Sequence, residues 1–87
     1  MAMWGADIAQ LKDLGTKLQA GSAEIEKQKN MLARALQSTD WKGPDADKFR
    51  SEWEGQHANA LAKVAQALEE AGKQASRNAT QQEEASR

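Results

Sequence analysis

His57 is the one histidine of the chain and there is no cysteine, so a nucleophilic triad would have to be built on it. Its surroundings do not supply one. His57 stands between Trp53 and Leu61 on a stripe with helical spacing, and no serine sits in a glycine-flanked elbow nearby. Metal binding is poorer still. Glu52 and Glu54 are two apart and do not share a helix face, and the pairs Glu69-Glu70 and Glu83-Glu84 read as solvated surface. The glycines form neither a dinucleotide fingerprint nor a phosphate loop, and Gly43-Pro44 is not followed by the Lys-Ser/Thr pair such a loop requires. These residues assign no catalytic site, no cofactor and no metal, and the chain reads as a protein that is not an enzyme.

Three tryptophans in a chain with one phenylalanine and no tyrosine carry more information. Each ring buries much area and wants its indole N–H paired. Trp53 is expected in the core. Trp4, near Met1 and Met3, either covers one end of the fold or is an exposed contact. Trp41 belongs to Thr39-Asp40-Trp41-Lys42-Gly43-Pro44-Asp45, which joins a glycine to the only proline. This is the strongest break in the chain. Pro44 suits the first turn of a helix, where Asp45 and Asp47 would meet the positive end of its dipole.

The elements that position this break are helices. Alanine, leucine, glutamine, glutamate and lysine dominate, and strand signals are missing. Leu11, Leu18, Ile25 and Leu32 recur every seven residues, flanked by Ile8, Leu14, Ala35 and Leu36, and predict helix one over about 7–39. Gly15 and Gly21 leave the phase intact, so they are expected to let a neighbouring helix approach. After a turn at 40–43, Phe49, Trp53, His57, Ala60, Val64, Ala67 and Ala71 step by three or four, widened by Leu61 and Leu68, and predict helix two over about 44–75. Residues 76–87 hold no large apolar side chain and are expected to fray as a polar tail. The sequence therefore predicts one all-α domain over 1–87, an antiparallel helix-turn-helix hairpin.

Such a hairpin has a thin core. Of 34 hydrophobic residues 17 are alanine, and no disulfide is available. The economical solution sets two hairpins face to face as a four-helix bundle dimer, with Leu11, Leu18, Ile25, Leu32, Leu61, Val64 and Leu68 in its packing. Charge adds exclusions. Twelve basic and 13 acidic residues give a net charge of −1 with no basic stripe, which argues against nucleic acid. Apolar stripes give membrane disruption some appeal, but the cationic face it needs is missing. No apolar run reaches the length of a membrane span, and Met1–Gly15 lacks the pattern of a secretory signal.

Trp41-X-Gly43 in the only turn, Phe49 eight residues and Trp53 twelve residues after the tryptophan, and two helices of matched length together resemble the WXG family of early-secreted-antigen-type proteins. The resemblance covers nearly the whole chain. It implies a secreted substrate and dimer subunit of a type VII secretion system, cytoplasmic before export and exported by a signal-peptide-independent route, acting as effector or assembly component. It also implies that Trp41 and Gly43 form part of a composite signal read by the secretion ATPase, beside a C-terminal Tyr-x-x-x-Asp/Glu element. This chain has no tyrosine, so a heterodimer with a homologous subunit supplying that element is favoured over a homodimer with a divergent tail. The rival reading is a cytoplasmic helical adaptor or coiled-coil scaffold with no link to secretion.

Overall fold

A computed structural model describes residues 7–85; Trp4 and the last two tail positions lie outside the described residues. Helix α1 runs Ile8–Ser38, α2 Pro44–Glu52 and α3 Ala58–Ala85, with a π-helical turn, Trp53–His57, joining α2 to α3 without a break. No strand occurs among the described residues. Local chemistry accounts for the ends. Asp7 caps α1, its side chain accepting from the Gln10 N–H at 3.0 Å. Gly43 takes φ +119°, a conformation closed to other residues, and turns the chain into Pro44 at the start of α2. Asp45 and Asp47 lie in the first turn of α2, and Arg50 in its last.

The two arms are antiparallel. Lys12 pairs with Glu83 at 3.2 Å, Ser22 donates to the Ala65 carbonyl at 2.6 Å, and Arg50 donates to the Leu36 carbonyl at 3.0 Å. The result is a rod of 64 × 17 × 13 Å. Small residues hold it together. A Cβ built on Gly15 would lie 3.0 Å from the Gly72 carbonyl oxygen, and one on Gly72 would lie 2.9 Å from the Gly15 carbonyl oxygen. The helices therefore meet backbone to backbone, as small residues at a crossing permit. Gly21 is different: the nearest atom to its Cβ position is Leu68 Cδ1 at 3.7 Å.

The face of α1 turned to α3 comprises Leu11, Gly15, Leu18, Ser22, Ile25, Lys29, Ala33 and Leu36, all buried or half-buried, with Ile8 half-buried beside them at the start of the helix. Leu32, expected in this stripe, is exposed, and so is Leu14. A straight helix drifts about 20° per heptad against a strict seven-residue repeat. By its last turns α1 has moved Leu32 off the contact and brought in Ala33 and Leu36.

The larger correction concerns helix two. Trp53 is buried, but His57, Ala60, Val64, Ala67 and Ala71 are exposed. The face against α1 is carried by Leu61, Ala65, Leu68, Gly72, Ala75 and Ala79, with Leu61 and Leu68 half-buried. The π-helical turn explains the difference. The Ala58 N–H donates to the Trp53 carbonyl, five residues back. One extra residue in a turn rotates everything after it by about 100° relative to an uninterrupted helix. Trp53 thus continues into Ala58, Leu61 and Ala65, while the spacing drawn straight through the sequence falls on the outward face.

Nor is the tail from residue 76 frayed through residue 85. Alpha3 continues to Ala85, with Ala75 and Ala79 buried. Bulk is unnecessary there because alanine and glycine let the arms approach until small side chains close the gap. Lys12–Glu83 spans the arms at this end, but both side chains are about half exposed and such a pair adds at most about 1 kcal/mol.

Ser22 provides a test of the middle of the hairpin. Its hydroxyl is buried, and a hydrogen bond of this kind is worth about 1 kcal/mol. Alanine returns about half of that as helix propensity. Ser22→Ala should therefore lower the melting temperature by a few degrees in a circular dichroism melt. A rise would show that the bond contributes nothing net.

Candidate functional site at the interhelical bend

Residues 39–43 join α1 to α2, and the Trp41 N–H donates to the Thr39 carbonyl at 2.9 Å within them. Trp41 is 41% exposed at the end of the rod. Its ring lies 6.2 Å from Phe49, centroid to centroid, at an interplanar angle of 47°. Phe49 in turn lies 6.5 Å from Trp53 and 6.1 Å from His57. These tilted contacts are in the favourable range for aromatic pairs. Phe49 is thus the hub of a four-ring cluster running from the bend, with Trp53 as its buried root and Trp41 as its exposed tip.

The cluster walls a groove of about 180 Å3 lined by Leu32, Ala35, Leu36, Trp41, Phe49 and Trp53. On the other side of Leu36 and Trp53 lies a larger groove of about 380 Å3, more polar, bordered by Lys29, Gln37, Arg50 and Glu54. The motif residues Trp41 and Gly43 and the flanking aromatics Phe49 and Trp53 therefore sit at one end, whereas Ile8, Leu11, Leu18, Ile25, Leu61 and Leu68 lie along the shaft of the hairpin. Leu36 belongs to both, half-buried between the arms and lining each groove.

Leu14, Leu32 and Val64 are not buried between the arms. Each is roughly half exposed. Leu14 and Leu32 are 18 residues apart (32 − 14), about five turns at 3.6 residues per turn, and share a face of α1. Leu32 also shares the groove with Phe49. Phe49 touches His57, from which Val64 is about two turns on. An apolar band therefore runs from the bend down one side of the rod, interrupted by His57 and alanines. Isolated exposed leucines are ordinary; the contiguous part of this face is the groove that Leu32 shares with Trp41 and Phe49, and an exposed apolar patch of that kind marks a contact surface.

One residue at the bend escapes the sequence reading altogether. Arg50 donates from Nε to the Leu36 carbonyl at 3.0 Å, from Nη2 to the Thr39 carbonyl at 3.1 Å and from Nη1 to the Trp41 carbonyl at 2.7 Å, and its guanidinium carbon lies 5.8 Å from the centre of the Trp41 ring. A faint signal was present. No glycine follows the last turn of α1 directly, so its terminal carbonyls need other partners, and a long cation just past the bend can reach them. Nearby Lys42 and Asp40 make only an exposed contact at 3.6 Å.

Among the described residues no group of three or more His, Cys, Asp or Glu side chains is placed to hold a metal ion, and no helix is long and apolar enough to cross a membrane. What the arrangement offers is a partly exposed indole, in contact with Phe49 and Arg50, beside an apolar groove. Comparison with protein-family models, curated proteins and solved structures finds no match to this chain.

Proposed function

We propose that this chain is a non-enzymatic secreted substrate and dimer subunit of a type VII secretion system, acting after export as effector or assembly component. One observation carries the reading. Trp41 stands exposed in the bend between the antiparallel arms, two residues from the φ +119° turn at Gly43. An aromatic side chain held rigid at a protruding end is suited to recognition, because it presents a large area at small cost in conformational entropy. The secretion ATPase would engage that end through a composite signal, with the partner subunit supplying the tyrosine-containing element this chain lacks.

The apolar band supports the dimer. A second, homologous hairpin laid against Leu14, Leu32 and Val64 would complete a four-helix bundle and cover the exposed side of each subunit. Leu14→Glu combined with Val64→Glu should leave the hairpin helical but weaken association by about 100-fold, taking about 1.5 kcal/mol for each buried apolar side chain lost. Sedimentation of the parent and double variant, each with and without the homologous subunit, would read this. Equal association constants would remove the band from the interface.

The reading as a whole is tested by fractionating a culture of the native host. The chain should accumulate in the supernatant while a cytoplasmic marker stays with the cells, and its export should stop when the secretion ATPase is inactivated. Retention with the cells in both strains would reject secretion and leave a cytoplasmic adaptor.

A further inference from the structure

Arg50 is the side chain at the bend that neither the Trp-X-Gly motif nor the apolar faces account for. Consecutive residues of α2 grip the tryptophan: Phe49 contacts its ring, and Arg50 takes its carbonyl oxygen while lying over the same ring. The same guanidinium holds the carbonyls of Leu36 and Thr39. Its planar fork thus ties the last turn of α1, the extended Thr39 and Trp41 itself into one cluster. We propose that Arg50 is the positioning residue for Trp41, setting the angle at which the indole leaves the bend without itself contacting the partner. The proposal rests on the reading of Trp41 as the recognition element.

Two physical arguments favour positioning over a general stabilising role. The first is geometric. Three acceptors on three residues are met by Nε, Nη1 and Nη2 in one plane, which a lysine ammonium, a single point of charge on a flexible stem, does not reproduce. The second is local. A cation near the C-terminal carbonyls of a helix is favourable anywhere in the last turn, but that interaction does not require a bond to the Trp41 carbonyl or a place over its ring. Those two contacts act on Trp41, one on its backbone and one on its ring.

The test uses the full chain labelled with 5-fluorotryptophan, the Trp41 fluorine resonance identified by its loss in Trp41→Phe. Arg50→Lys keeps the charge and loses the fork; Arg50→Met keeps the stem and loses both. In each variant, with helical circular dichroism retained at low temperature, the Trp41 resonance should move toward that of the free amino acid. Acrylamide quenching of the tryptophan fluorescence, measured against Trp41→Phe to isolate the Trp41 share, should rise for that share by up to about twofold as a residue now 41% exposed opens to solvent. An unmoved Trp41 resonance in folded Arg50→Met overturns the proposal. So does global unfolding of both variants, since Arg50 would then serve the fold as a whole. Export separates this idea from the one it rests on. A moved resonance with export unaffected by Trp41→Ala leaves Arg50 as the positioning residue and removes the secretion role; a fixed resonance with export lost in Trp41→Ala does the reverse.

Discussion

Gly72→Leu is expected to lower the melting temperature by at least about 15 °C, the largest stability effect of any single substitution outside the bend. The reason is distance. A Cβ at position 72 would stand 2.6 Å from Gln19 Cγ, 3.2 Å from the Gln19 backbone nitrogen and 2.9 Å from the Gly15 carbonyl oxygen. The side chain of Gln19 can swing away, but the two backbone atoms belong to a rigid helix. Relief therefore requires the arms to part, which uncovers Ala75, Ala79 and Ser22 together. Overpacking in a core costs about 1 to 3 kcal/mol where side chains can adjust, and a backbone collision belongs at or beyond the upper end. Each 1 kcal/mol moves the melting temperature of a chain this size by about 4 to 8 °C.

Alanine at the same position sharpens the test, because two effects oppose each other there. Replacing a helical glycine gains about 1 kcal/mol in propensity, yet the added methyl meets the Gly15 carbonyl oxygen and the Gln19 nitrogen. Gly72→Ala should consequently still be destabilising. Gly21→Ala faces only Leu68 Cδ1 at 3.7 Å, an ordinary contact, and should keep the propensity gain and melt slightly higher. Thermal melts at one fixed protein concentration compare all three, since association would otherwise shift the midpoint. If Gly21→Ala and Gly72→Ala gained equally, the arms would not cross where they do here.

Trp41→Ala should reduce export by about 30-fold, the equivalent of about 2 kcal/mol for truncating a hot-spot side chain, while lowering the melting temperature by about 8 to 16 °C and leaving the chain folded at growth temperature. The two effects are expected to part because Trp41 is 41% exposed and Trp53 only 8%. Removing Trp41 forfeits its contact with Phe49 and the cation–π contact with Arg50, each worth about 1 kcal/mol. It opens no internal cavity. Trp53→Ala would open one, at about 3 to 5 kcal/mol, and serves as the control in which export fails because the fold fails. Secreted and cell-associated amounts, measured beside the melts, give the ratio that matters. Undiminished secretion of a folded Trp41→Ala chain would end the recognition role of the bend.

The place of the bend was legible because its causes are local. Gly43 can take the positive φ of the turn and Pro44 fixes its own φ, each by its covalent structure, and Asp45 and Asp47 lie in the first turn of the helix that follows. The helical class was legible too, since alanine-rich sequence with apolar steps of three, four and seven carries its own period. Where bulk is scarce, however, the same signals misled. The lack of large side chains after Ser76 predicted fraying, yet scarcity of bulk is what lets α1 and α3 touch there.

By itself, then, the sequence determined that this protein is helical and where it bends. Which sides of the helices face each other was decided only in three dimensions. Apolar spacing is an angular quantity, and the five-residue turn at Trp53–His57 resets the angle without leaving an unambiguous mark in residue types. Arg50 is of the same kind: its three carbonyl partners lie 9 to 14 positions away in the chain, and no periodicity joins them. Short-range covalent and capping preferences act residue by residue, so they can be read along a line; contact between distant backbones depends on accumulated rotation, and that exists only once the arms have closed.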